Sequence, residues 1–134
     1  MDFSSTPITP IYAALIALMF VALSVRTLRL RHRFSVAVGT GGERELERAV
    51  RAHANCAEYV PIALLLVYFL EATTELTVWI HVLGASLLIG RLVHAYGISQ
   101  VRETFAFRIF GMAATFTVIV GAAAALLIAP LLSN

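Results

Sequence analysis

Long apolar runs alternate with short polar segments along the whole chain, and this pattern predicts four membrane-spanning helices. Each run has the length that an α-helix needs to cross a bilayer, and few charges interrupt it. The predicted spans are Ile8–Val25, Arg44–Leu70, Leu76–Tyr96 and Thr104–Leu132. We therefore expect one all-α domain over residues 1–134, an integral membrane bundle of four helices.

Polar segments connect the predicted spans. Gly39, Gly41 and Gly42 mark a flexible first loop. The sequence also predicts an acidic turn at Glu71–Glu75 and a polar third loop at Gly97–Glu103. An arginine cluster, and no small-residue cleavage site, follows the first span, so we expect a retained anchor and not a signal peptide.

The composition agrees with a membrane protein. Hydrophobic residues make up 60% of the 134 residues, charged residues make up 13%, and the mean hydropathy is +0.86. A soluble domain of this length has too small an interior to bury so much apolar surface.

The distribution of arginine predicts the orientation in the membrane. The chain has ten arginines and no lysine. Those that flank the first and third loops are Arg26, Arg29, Arg31, Arg33, Arg44, Arg48, Arg51, Arg91, Arg102 and Arg108. The positive-inside rule therefore places these two loops in the cytoplasm and both termini outside. This role, with attraction to anionic lipids, suffices for Arg26 and Arg33. The exclusive use of arginine fits fork-like recognition of carboxylates or buried ion pairs, and codon bias explains it equally well.

A polar stripe enters the second span and is the principal functional candidate. Arg44, Arg48, Arg51, Asn55 and Glu58 follow spacings of four, three, four and three, which places them on one helix face. Polar groups at this depth are costly, so we expect them to face protein or water. Arg48 and Arg51 can clamp carboxylates. Asn55 can donate and accept hydrogen bonds, and Glu58 can receive an ammonium group or hold an arginine.

The segment Arg51–Pro61 has the sequence Arg-Ala-His-Ala-Asn-Cys-Ala-Glu-Tyr-Val-Pro. It closely resembles the second-helix signature of the MAPEG proteins, the membrane-associated proteins of eicosanoid and glutathione metabolism. The chain length, the four spans, the arginine-rich first loop, the Arg91-x-x-His94 pair and Arg108 at the start of the fourth span extend the resemblance over essentially the whole chain.

The resemblance implies a homotrimer of four-helix bundles that binds glutathione at the cytoplasmic side, in a cleft between neighbouring subunits. A lipophilic substrate enters from the bilayer, and the glutathione thiolate conjugates, isomerises or reduces it. By resemblance, the cofactor-binding positions are Arg31, Arg48, Arg51, Asn55, Glu58, Tyr59, Arg91 and His94. Arg29 is the alternative to Arg31 at the end of the first span.

The resemblance assigns thiolate activation to Arg108. The thiolate is the nucleophile, and a nearby positive charge favours it over the thiol. Arg108 also begins a helix whose N-terminal dipole acts in the same direction. Arg102 is a rival, because the loop before it varies in length within the family. The structural alternative is that Arg108 only extends its side chain to the membrane interface.

Two positions depart from the family pattern. Several relatives have a tyrosine where this chain has Ile98, and the nearby Tyr96 lies two residues earlier. Ile109 stands where the prostaglandin E synthase branch has serine, which argues against that isomerase chemistry. The chain is more similar to the bacterial branch, and we expect it in a bacterial inner membrane.

Other residues predict packing more than chemistry. No constellation of His, Cys and Glu has metal-site spacing, so we expect no metal. Cys56 is the only cysteine and fits a small buried residue. Pro61 predicts a kink in the second span. Close helix contacts are expected at Gly84, Ala85, Ser86, Gly90 and Gly121–Ala125.

Three hypotheses for function follow. The first is a glutathione-dependent transferase or peroxidase that acts on lipophilic electrophiles or lipid hydroperoxides. The second is a non-catalytic lipid-binding or scaffold protein of the same fold. The third is a small four-span multidrug exporter, which needs an acidic residue in the first span, and Ile8–Val25 has no charge. No segment is typical of nucleic-acid binding.

Overall fold

The computed structural model describes residues 7–100 and 104–132, and the regular structure in them is helical. The four helices are α1 (Thr9–Phe34), α2 (Arg44–Thr73), α3 (Thr77–Ser99) and α4 (Phe105–Leu132). Each helix is long and apolar enough to cross a membrane. The prediction of an all-α protein with four membrane-spanning helices is therefore confirmed.

The first helix extends nine residues beyond the predicted span end at Val25. Arginine and leucine dominate this extension, and both favour helix, so the charges end the apolar span without ending the helix. The helix stops at Ser35, which has a left-handed backbone with φ of 54°. The N–H of Ser35 donates to the carbonyl of His32, and the N–H of Val36 donates to that of Arg31. These bonds satisfy carbonyls that a helix end otherwise leaves unpaired.

The two later connections are shorter than predicted. Because α2 continues to Thr73, only residues 74–76 connect it to α3. Similarly, Gly97 and its two successors belong to α3 and not to the third loop. The α2 helix continues through Pro61, and the kink predicted there stays a prediction.

Glu71 lies inside α2 and caps a different helix. Its carboxylate accepts hydrogen bonds from the backbone N–H groups of Ile8 and Thr9, with 2.9 Å between Oε2 and the Thr9 nitrogen. The first N–H groups of a helix have no partner inside it, and α1 has no side-chain cap of its own. Glu71 thus ties the start of α1 to the end of α2.

The α3–α4 contact depends on two glycines. A Cβ atom on Gly111 would lie 2.5 Å from the carbonyl oxygen of Gly90 and 2.5 Å from the Cβ atom of His94. The predicted contact at Gly90 is therefore confirmed, and the backbones approach where neither has a side chain. Gly84 similarly packs beneath the ring of Tyr12. Gly121, in contrast, has no atom of the described residues within 4 Å of its Cβ position, so it makes no contact of this kind with them.

Polar side chains join the helices at one end of the bundle. There the ends of α1 and α3 meet the starts of α2 and α4, and we call this the arginine-rich end. Arg26 of α1 donates to the Ser99 hydroxyl of α3. Arg48 of α2 donates to the carbonyls of Ile98 and Gln100, at 3.4 and 2.8 Å. These contacts position the polar side chains of the candidate site.

Candidate functional site

The polar stripe of α2 lies along the side of the helix that faces away from the apolar core. Arg44, Arg51 and Glu58 are exposed, and Arg48 and Asn55 are half-buried. The buried residues of this part of α2 are Leu46, Ala49, Ala52 and Cys56. The predicted common face of α2 is thus present, and Asn55 lies at the edge where this face meets the interior of the bundle.

Four of the described arginines surround a cavity of about 370 Å³ at the arginine-rich end. Its lining residues are Arg44, Glu47, Arg48, Arg51, Ile98 and Arg108. The volume lies within the range of small-molecule binding sites. Arg48 and Arg51 were predicted together on the polar stripe and Arg108 separately on the fourth span, and the fold brings the three together. Their guanidinium groups make the cavity suitable for an anionic ligand with more than one acidic group.

Arg108 also borders a second, apolar cavity of about 430 Å³. The lining residues of this apolar surface are Phe105, Arg108, Ile109, Met112, Ala113 and Phe116. Arg108 is half-buried and lies in the first turn of α4, where the N-terminal helix dipole adds to its own positive charge. One cationic side chain therefore lies between a polar cavity and an apolar surface.

Arg91 does not line the cavity but lies inside the bundle, where it is only 1% exposed. Its Nη2 donates to the Asn55 Oδ1 at 2.5 Å and lies 3.1 Å from the His94 Nδ1. Its Nη1 lies 3.3 Å from the Thr115 Oγ1 and 3.9 Å from the Met112 sulfur. We call these five residues the buried arginine cluster. Arg91 and His94 share a helix face as predicted, but that face points to the core.

The remaining predicted residues lie around the cavity without lining it. Tyr59 is half-buried, and its ring packs edge-on against Phe116, with 5.4 Å between ring centroids. Glu58 is exposed and forms no ion pair with another described residue, so none of the described arginines is held by it.

Arg31 has a local structural role. Its Nη1 donates to the carbonyls of Val36, Ala37 and Gly39, at 3.4, 3.2 and 2.9 Å, and so holds the loop after α1. Arg29, the alternative, is exposed on α1. Arg102, the rival of Arg108, lies outside the described residues.

The two departures from the family pattern occupy different environments. Ile98 lines the polar cavity, and several relatives have a tyrosine at this position. Tyr96 is exposed, and its ring packs edge-on against Phe107, with 5.7 Å between ring centroids. Tyr96 therefore does not supply a phenol to the polar cavity in place of the tyrosine that several relatives have at the Ile98 position. Ile109 is 67% exposed on the apolar surface. No three His, Cys, Asp or Glu residues within 7–100 and 104–132 are grouped to hold a metal ion.

Thr115 is the hydroxyl-bearing residue of α4 that contacts Arg91, and it was not among the residues predicted from the sequence. Thr115 is fully buried, and its hydroxyl donates to the carbonyl of Gly111 at 2.8 Å. A signal was available, because Thr115 lies one helical turn after a glycine within an uncharged span. Polar residues at such positions usually serve a partner inside the bundle.

Comparison with known families gives a match over residues 9–128 to the model of the MAPEG family. The chain belongs to the MAPEG family. This MAPEG protein is 41% identical over 109 residues to the inner membrane protein YecN of Escherichia coli K12, and equally to that of strain CFT073. The aligned region covers 81% of this chain and 82% of each relative. The resemblance found in the second helix is thereby confirmed. With the four apolar helices, the similarity to an inner membrane protein also confirms the expected location in a bacterial inner membrane.

Proposed function

We propose that this MAPEG protein is a glutathione-dependent transferase or peroxidase that acts on lipophilic electrophiles or lipid hydroperoxides. The observation that supports the proposal most strongly is the position of Arg108 between the arginine-lined cavity and the apolar surface. A reaction between a charged thiol peptide and a lipid-soluble molecule requires these two environments to meet at the reacting atoms.

The arginine-lined cavity fits the chemistry of glutathione, which has two carboxylates, one ammonium group and one thiol. Arg48 and Arg51 bind the carboxylates. Glu47 lines the cavity, and its carboxylate is, with that of Glu58, a partner for the ammonium group. Asn55 and Tyr59 lie one and two helical turns beyond Arg51 on α2 and contribute hydrogen bonds.

In the proposed reaction, Arg108 stabilises the thiolate. The thiol proton passes to solvent, and the sulfur lone pair then attacks the electrophile at the apolar surface. With an alkylating substrate, a carbon–sulfur bond forms and the leaving group departs with its electron pair. With a hydroperoxide, the thiolate attacks the terminal oxygen, a sulfur–oxygen bond forms as the oxygen–oxygen bond breaks, and the products are glutathione sulfenic acid and an alkoxide that takes a proton from solvent to become the alcohol. A second glutathione then yields the disulfide and water.

The proposal includes a homotrimer with the arginine-rich end in the cytoplasm. Glutathione is a cytosolic thiol, and the distribution of arginine favours that orientation. A neighbouring subunit would complete the open side of the cavity. The exposed Glu58 and the arginines at the end of α1 then become available to a ligand between subunits.

A second candidate is a lipid-binding protein without catalysis, and one feature favours it. A groove of about 850 Å³ runs between α3 and α4, away from the arginines. Its apolar lining includes Leu70, Trp79, Phe110 and Val118. Such a surface holds acyl chains without needing a thiol. The arginine-lined cavity has no role in this candidate, and for that reason we rank it second.

The deciding experiment is isothermal titration of glutathione into the detergent-purified protein. We expect saturable binding by the wild type and about tenfold weaker binding by Arg51→Ala, since a hydrogen bond to a charged group is lost. Arg33→Ala is the matched control. It removes the same charge at the same end, but Arg33 pairs with Glu45 on the surface and should leave the affinity unchanged. A folded wild type that does not bind glutathione contradicts the proposal and favours the lipid-binding candidate.

A further inference from the structure

The buried arginine cluster contains a cation without an anion. Arg91 forms no ion pair within residues 7–100 and 104–132 and lies in a membrane-spanning helix. A charged side chain at this depth is costly unless its donors are satisfied. Its oxygen acceptors are the amide of Asn55 and the hydroxyl of Thr115. Both oxygens are therefore committed to one guanidinium group.

The chemistry of arginine fixes the orientation of both acceptors. A guanidinium group only donates hydrogen bonds, so Asn55 must turn its Oδ1 toward Arg91. Its Nδ2 amide group then remains as a donor for another partner. Thr115 donates its hydroxyl hydrogen to the carbonyl of Gly111, which leaves oxygen lone pairs for Arg91. The Asn55 and Thr115 oxygens thus both accept from the Nη atoms of Arg91, whereas its buried Nε has no partner among the described residues.

Asn55 connects this cluster to the polar stripe of α2. It is half-buried and lies one helical turn after Arg51, which lines the cavity. Thr115 and Arg91 are both buried. The order from the core toward the stripe is thus Thr115, Arg91 and Asn55, and Asn55 is the member closest to a ligand.

We infer that Thr115 and Arg91 are positioning residues of the proposed glutathione site: Thr115 orients Arg91, and Arg91 orients Asn55 so that it offers only N–H donors to the ligand. This inference rests on the proposed function. It gives Arg91 an indirect role, where the family resemblance implied direct binding. It also specifies that Asn55 binds an acceptor of the thiol peptide, a carboxylate or a peptide carbonyl.

The test compares three variants of α4 by titration with glutathione. Thr115→Val keeps the shape of the side chain but removes the acceptor for Arg91, and we expect about tenfold weaker binding. Thr115→Ser retains the hydroxyl and should bind within about twofold of the wild type. Thr117→Val is the matched control, since Thr117 lines the apolar groove between α3 and α4. It should also bind as the wild type does. Thermal unfolding of each variant separates lost affinity from lost stability.

The outcomes separate this inference from the proposed function. If the wild type does not bind glutathione, the proposed function fails and this inference fails with it. If the wild type binds and Thr115→Val binds equally well, or Thr115→Ser is as weak as Thr115→Val, only the inference fails. Should Thr115→Val not fold, Asn55→Asp decides. Its carboxylate beside Arg91 should raise the melting temperature, and an unchanged or lower value contradicts the Arg91–Asn55 contact.

Discussion

The buried arginine cluster and the arginine-lined cavity use the same side chain in opposite ways. Arg91 is enclosed, and its two Nη atoms meet the Thr115 and Asn55 oxygens of the protein, while its buried Nε has no partner among the described residues. Arg51 is exposed, and its guanidinium borders an open cavity. An arginine surrounded by fixed acceptors stabilises one arrangement of helices, whereas one that faces a cavity is available to a ligand. Burial therefore separates the role of Arg91 from that of Arg51, although the two residues are of the same type.

The largest expected effect is a loss of stability when Arg91, in the buried arginine cluster, is replaced. Arg91→Ala should lower the free energy of unfolding by about 3 kcal/mol, because it opens a cavity and removes several hydrogen bonds at once. Arg51→Ala, the exposed counterpart, should change it by less than about 0.5 kcal/mol. Thermal unfolding in detergent measures both. Equal shifts for the two variants would show that the difference in burial has no energetic consequence.

Arg108→Gln should have the next largest effect, on chemistry and not on folding. Glutamine keeps the hydrogen-bonding capacity but removes the charge that favours thiolate. We expect conjugation of a chlorinated nitrobenzene to slow by about 100-fold, similar to the loss of one charge-stabilising donor in other enzymes. Glutathione affinity should fall much less. The ultraviolet absorbance of the bound thiolate provides an independent measurement. Full activity in Arg108→Gln would transfer the role to another arginine.

The smallest effect is expected at the exposed ion pair between Arg33 and Glu45, whose charged atoms lie 3.5 Å apart. Glu45→Gln removes this pair from the surface of the arginine-rich end. Exposed ion pairs contribute little, so unfolding should change by no more than about 0.5 kcal/mol. The affinity for glutathione should not change either. A loss of affinity in Glu45→Gln would mean that the cavity depends on the loop between α1 and α2.

The four spans and the polar stripe could be predicted because each depends on residues close in sequence. The period of α2 places Arg44, Arg48, Arg51 and Asn55 on one face, and the structure retains that face. Helix ends were less predictable. A change from apolar to charged residues marks the membrane boundary, but only backbone geometry such as that at Ser35 ends the helix.

The roles within the candidate site were harder to predict because they depend on contacts between helices. Arg91 and Arg108 both lie near the ends of apolar spans, and nothing in their local sequence separates a core residue from a cavity residue. The separation arises from the Gly90–Gly111 approach, which brings α4 against α3 and places Thr115 within reach of Arg91. A prediction from the sequence alone would need the register between these two helices.

The cap that Glu71 forms on α1 has a consequence for biogenesis. The backbone groups of Ile8 and Thr9 emerge from the ribosome before their acceptor, which follows 62 residues after Thr9. At a synthesis rate of about 5–20 residues per second, the first helix waits on the order of 3–12 seconds for it. During that interval, lipid headgroups or water must accept hydrogen bonds from the backbone N–H groups in the first turn of α1. The hydrogen bonds between the start of α1 and the end of α2 therefore form only after both helices have been synthesised.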